Sequence, residues 1–206
     1  MKKAMLLGLV VILTLAGCSK PAETGAKTGA EGAKVAVVGP FDAPYGAFKS
    51  AFDAKDYGKA LTELRSLMWS FWAESSLVLE NVKFVKGADN SYGIYEPKES
   101  DVFASGEPIY LYMEPAGCAM IRNPAGYYDF GFKADFQVAD ENGKVLGGET
   151  DFAVMPFKSW NFNTEISLTF TYTISGLEKG KYKIITQVSD ANSAKKATAE
   201  KWLTIE

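Results

Sequence analysis

The chain has no histidine among its 206 residues. That excludes a Ser-His-Asp or Cys-His catalytic site, a histidine-ligated zinc or haem, and a histidine pH switch. It has only two cysteines, Cys18 and Cys118. It has no surplus of positive charge: 22 Lys+Arg stand against 25 Asp+Glu, a net charge of -3. A basic footprint for nucleic acid is therefore missing. Its first apolar run, residues 5–16, is twelve residues long, too short to cross about 30 Å of hydrocarbon. What is present is globular composition, 47% hydrophobic and 23% charged. That rules out wholesale disorder and suits one domain with short additions.

The apolar run has a leader's anatomy. Lys2 and Lys3 precede it, and Leu15-Ala16-Gly17-Cys18 closes it. A charged n-region, a short h-region and small residues at the end mark a secretory signal. The closing tetrapeptide resembles the bacterial lipobox, in which the cysteine thiol takes the lipid. That resemblance implies cleavage after residue 17, an acylated Cys18 and a membrane anchor, since two or more chains hold a protein stably on a bilayer. The processed chain has 20 basic against 25 acidic residues, a net charge of -5, because Lys2 and Lys3 leave with the signal. Ser19 resembles the sorting residue of outer-membrane lipoproteins, so the expected location is the outer membrane, facing the periplasm. With Cys18 acylated, Cys118 has no disulfide partner. It is expected half-buried in a loop as a small apolar residue.

Four segments follow: a signal peptide at 1–17, an anchor and tether at 18–39, a helical segment at 40–75 and a β-sandwich at 76–206. Residues 19–34 hold no large apolar side chain and cannot offset the cost of ordering. In the helical segment, Asp42 and Pro44 read as a helix start. Tyr45, Phe48 and Phe52 recur at spacings of three and four, and Tyr57, Leu61, Leu64, Met68 and Phe71 form a second stripe. An amphipathic helical pair packed on a sheet is expected. From about residue 78 the period becomes two. Tyr128, Phe130, Phe132, Ala134, Phe136 and Val138 alternate with mainly polar residues, as do Ile166, Leu168, Phe170, Tyr172 and Ile174. Further runs fall at 79–86, 101–114, 144–157, 181–189 and 198–205. Seven strands with turns between them predict a mainly β fold, an immunoglobulin-like antiparallel sandwich after a short helical segment.

Two stretches carry resemblances. Gly176-Leu177-Glu178-Lys179-Gly180-Lys181-Tyr182, followed by Val188-Ser189-Asp190, resembles the closing hairpin of many bacterial immunoglobulin-like domains. Tyr92-Gly93-Ile94-Tyr95-Glu96, then Val102-Phe103, then residues 106–115, resembles a family of secreted bacterial envelope proteins to which no activity is attached. The second resemblance implies an envelope protein and brings no catalytic residues with it.

Candidate sites come from the aromatics. Trp160 and Phe162 sit in a loop-like stretch with Asn161 and Asn163, and Tyr127 is out of phase with its strand. Tyr110 and Tyr112 share one face of a strand, which either stands open or lies under the helices. Exposed aromatics beside amides can stack on sugar rings. Carboxylates offer a second chemistry: Glu107 and Glu114 lie on or near one strand, with Glu96 and Glu99 before it. A glycosidase needs two of them about 5–10 Å apart. Asp140-Glu141-Asn142-Gly143 and Asp190/Asn192 read as turns rather than calcium loops. The expectation is a lipid-anchored envelope protein with no cofactor and no metal. Its role is non-enzymatic, binding a protein partner in envelope assembly; the alternatives are a glycan- or peptidoglycan-binding module and a hydrolase using paired carboxylates.

Overall fold

The computed structural model describes residues 39–206. The signal peptide, the lipidation site at Cys18 and the tether lie outside the described residues. Two helices come first, α1 (Asp42–Asp53) and α2 (Tyr57–Glu74). Nine strands follow: β1 (Val78–Val85), β2 (Val102–Phe103), β3 (Ile109–Ala116), β4 (Ile121–Arg122), β5 (Tyr128–Asp140), β6 (Val145–Ser159), β7 (Leu168–Tyr172), β8 (Gly180–Asp190) and β9 (Lys196–Ile205). The seven expected runs supply eight of them, and β4 alone was not expected. The run at 101–114 is broken in two, because Glu107 closes a turn by accepting the amide of Ala104 at 2.8 Å.

The strands form an immunoglobulin-like sandwich. One sheet is three-stranded, β1-β3-β7; the other runs β2-β9-β8-β5, with β6 on the far side of β5 and β4 beside the start of β5. Neighbours are antiparallel except the short β2–β9 pair. Period-two alternation sends one face of each strand inward. Ile109, Leu111 and Met113 stand opposite Tyr172, Phe170 and Leu168 on the smaller sheet. They pack with Phe130, Phe132, Ala134, Ile184, Val188 and Leu203 of the larger sheet. The hydroxyls of Tyr172 and Thr186 are 2.7 Å apart across the two sheets. With no disulfide between the sheets, apolar burial holds them together.

The helices depart from expectation. Asp42 is the first helical residue rather than the cap, and its carboxylate accepts the Gly39 amide at 2.6 Å. Asp56 does cap α2, accepting the amide of Lys59 at 3.1 Å. Lys55 takes a left-handed backbone (φ 61°) to turn the chain between them. The pair does not lie on a sheet face. It meets the end of the sandwich through the last two turns of α2. There the indole nitrogen of Trp72 donates to the Cys118 carbonyl at 2.9 Å, and the Lys195 ammonium donates to the Ala73 carbonyl. The stripe Tyr57, Leu61, Leu64, Met68, Phe71 is not covered by the sheet: Phe41 stacks on Phe71 and Phe52 meets Tyr57, yet each residue stays between 41% and 62% exposed. Only Ala60 and Leu67 of α2 are fully buried. None of the described helices is long and apolar enough to cross a membrane.

Candidate functional site

Three elements converge on a groove of about 720 Å³, within the range of about 300–1,000 Å³ that small-molecule sites occupy. From α2 come Thr62, Arg65, Ser66 and Trp69, which share one side of the helix at spacings of three and four. From the β4–β5 hairpin come Arg122 and Tyr128. Their place is set by the ladder: Arg122 pairs with Tyr128, and Tyr128 pairs on its other edge with Ser159. The chain leaves β6 at Ser159, so Trp160, Asn161 and Phe162 emerge beside that row.

Phe162 is the hub. Its ring lies 5.1 Å from Trp69, 5.8 Å from Tyr128 and 6.1 Å from Trp72, edge-on to the last two. Trp160 is 75% exposed, yet Tyr127 meets it edge-on at 5.9 Å. The Lys158 ammonium in turn sits 4.8 Å over the Tyr127 ring. Such edge-to-face contacts hold aromatic rings in place. The three loop aromatics expected from sequence are thus gathered at one site.

Tyr110 and Tyr112 are elsewhere. They lie on the outer face of the three-stranded sheet, and the chain between β1 and β2 covers that face, not the helices. Tyr112 is 0% exposed, so it offers no stacking surface. Its hydroxyl donates to the Glu114 carboxylate at 2.6 Å, which also accepts from Asn81 Nδ2 at 2.6 Å and from the Gly93 amide at 3.2 Å. Asn81 reaches that position from a bulge in β1, with φ at 51°. Burial acts to raise the Glu114 pKa, but hydrogen bonds from Tyr112, Asn81 and Gly93 and the charge of Lys83 outweigh it, so the carboxyl sits below its ordinary value. Burial, and then the bond to Glu114, push the Tyr112 phenol up to about 12. The cluster clamps the covering segment down. Tyr110, half-buried, lines a separate cleft with Lys98 and Glu107.

Glu107 and Glu114 are not brought together. Six residues lie between them, five of them in β3, a span of up to about 23 Å, and Glu107 is held by Lys98 and the Ala104 amide. Among the described residues no cluster of three or more acidic or cysteine side chains is arranged to hold a metal. Asp140 accepts the amides of Asn142 and Lys144, and Asp190 those of Ala119 and Asn192 and the Ser193 hydroxyl. Both carboxylates are turn struts. Cys118 is fully buried rather than half-buried. Burial, with the nearby Asp190 charge, pushes its thiol up to about 11, which keeps it a protonated, unreactive thiol.

Sequence reasoning missed the two arginines. Both line the groove, both are exposed, and no ion pair among the described residues involves either. The available signal was scarcity: Arg65 and Arg122 are the only arginines in the chain.

No family model matches the chain and no curated protein matches its sequence. Among solved structures it is similar to the C-terminal domain of Wzt, with a TM-score of 0.38 and 11% identity, covering 66% of this chain and 76% of that one. It is similar to the CARDB domain of a Pyrococcus furiosus protein solved in complex with di-metal ions, with a TM-score of 0.31 and 16% identity, covering 63% and 94%. It is also similar to the sporulation control protein Spo0M of Bacillus subtilis, with a TM-score of 0.34 and 10% identity, covering 64% and 50%. The mainly β sandwich fold of this chain rests on its own strand pairing.

Proposed function

We propose that this protein is a lipoprotein of the bacterial envelope, held on the outer membrane through Cys18 and facing the periplasm, that binds a glycan without cleaving it. The observation that carries the ligand class is Trp160. A ring this exposed, braced edge-on by Tyr127 beside a groove floored with Phe162, is a ready stacking surface for the apolar face of a sugar. Amide and hydroxyl groups of Asn161, Thr62, Ser66 and Thr164 rim the same groove and can meet sugar hydroxyls. The separation of Glu107 from Glu114 supports binding over hydrolysis. In the test, the full lipoprotein in detergent is incubated with purified sacculi and with soluble polysaccharides. Retention of the protein, lost in Trp160→Ala, supports the reading. Retention unchanged by that substitution removes the groove from consideration.

A second reading is favoured by the open stripe on α2: the helical pair seats another envelope protein in an assembly role. Here the lipoprotein is crosslinked in cells through a photoreactive residue at Leu64. A single reproducible protein adduct, with sacculus binding absent, would replace the glycan reading.

A further inference from the structure

We infer that the groove takes an acidic saccharide, with Arg65 and Arg122 holding a carboxylate or phosphate while Trp160 stacks on the ring that bears it. The inference rests on the glycan reading and adds the chemistry of the ligand. Every other basic residue of the chain is lysine. The two arginines come from elements far apart in sequence, α2 and β4, and meet at one groove. Neither is neutralised: no carboxylate lies within ion-pair distance of either among the described residues, although the chain carries more acid than base. Two like charges left facing one cavity repel each other and gain when an anion enters between them. The planar guanidinium matches a carboxylate or phosphate with two parallel hydrogen bonds, which an ammonium cannot do. Glu63 also lines the groove, so the local balance is two positive charges against one negative.

The positioning is built in. The ladder fixes Arg122 beside Tyr128, and the helical repeat sets Arg65 one turn from Trp69. An anion held by the arginines therefore shares one groove with Phe162 and the Trp160 ring. A neutral glycan would leave both guanidinium groups facing water.

The experiment titrates the full lipoprotein in detergent with tetragalacturonate, its neutral methyl ester, a mannotetraose carrying one phosphate, and a thymidine hexanucleotide. The acid should bind at least about tenfold more tightly than the ester, the value of one net charge-assisted hydrogen bond. That preference should fall as salt rises. Arg65→Gln and Arg122→Gln should each reduce the acid's affinity to near that of the ester, leaving the ester unchanged. Trp160→Ala should lose both. Preference for the phosphorylated sugar over the uronate assigns the pair to phosphate; the reverse assigns it to carboxylate. Equal affinity for acid and ester, unmoved by the arginine substitutions, overturns the inference and leaves the glycan reading standing. Binding of none of the saccharides overturns both. Tighter binding of the oligonucleotide than of either acidic sugar also overturns the inference. Both arginines are exposed, so the variants should keep the parent's circular dichroism, and a variant that does not is replaced by Arg→Lys at the same position.

Discussion

The indole of Trp72 on α2 donates to the carbonyl of Cys118 in the loop after β3, at 2.9 Å. Together with the Lys195–Ala73 bond and the contacts of Trp69 and Trp72 with Phe162, it joins the helical pair to the sandwich beside the groove. Trp72→Phe keeps an aromatic ring, smaller than the indole, but removes the donor, leaving a part-buried carbonyl unpaired. Such a loss costs about 1–3 kcal/mol. The expected outcome is a lower denaturant midpoint and faster amide exchange in α2 than in β5 or β8. Unchanged exchange in α2 would show that the bond does not hold the helices.

The clamp at Glu114 makes stability depend on pH. A carboxyl whose folded pKa lies below its unfolded value stabilises the fold above the ordinary 4.5, and that contribution is lost as pH falls through the folded value. Tyr112 acts at the other end: raised from 10.0 to about 12, it stabilises fully below 10.0 and loses the contribution as pH rises through that window. Glu114→Gln should flatten the acid limb of a stability–pH curve measured by urea unfolding, and Tyr112→Phe the alkaline limb. An acid limb of unchanged slope in Glu114→Gln would place the titration elsewhere.

Gly117 sits at φ +87°, and a Cβ there would run into the carbonyl oxygen of Ser76. Gly143, at φ +82°, has open space around it. Both alanine substitutions incur backbone strain of roughly 1–3 kcal/mol. Gly117→Ala should lose more, because the turn after β3 must also move. Equal losses in thermal unfolding would mean that the Ser76 contact relaxes freely.

The thiols report on the anchor. Cys118 is buried with a thiol raised to about 11, so the native protein should leave it unlabelled by maleimide at neutral pH. With Cys18 acylated, the native lipoprotein should show no reactive thiol and the unfolded one a single thiol. One native and two unfolded would mean that Cys18 is free.

The pattern of one strand shows why the fold was readable. Phe130, Phe132 and Ala134 alternate inward because the pleat imposes a period of two, and a half-buried sheet writes that period into its sequence. The α2 stripe was equally plain as a pattern, but periodicity says only that a face is apolar, not that anything covers it. Tyr112 was legible as a strand residue, while its cover came from a segment about twenty residues upstream whose pattern carries no sign of where it folds. Tyr127 could be singled out because it breaks phase, and Trp160 and Phe162 because they stand in a loop-like stretch beside Asn161 and Asn163. Arg65 and Arg122 could not, since a charged residue on an exposed position looks the same whether it faces water or a groove.

Composition, periodicity and the leader motif by themselves determined that the protein has no histidine chemistry, that its body is an antiparallel sandwich after two helices, and that a lipidated leader is to be expected. These are local properties, set by residue type and by spacing along one element. Only the tertiary structure decided which elements meet: that α2 docks at the sandwich end, that the β1–β2 segment seals Tyr112 and Glu114, and that two arginines 57 positions apart in sequence face one aromatic groove. Those pairings depend on long-range register and packing, where several arrangements satisfy the same local pattern and the summed burial of side chains selects one.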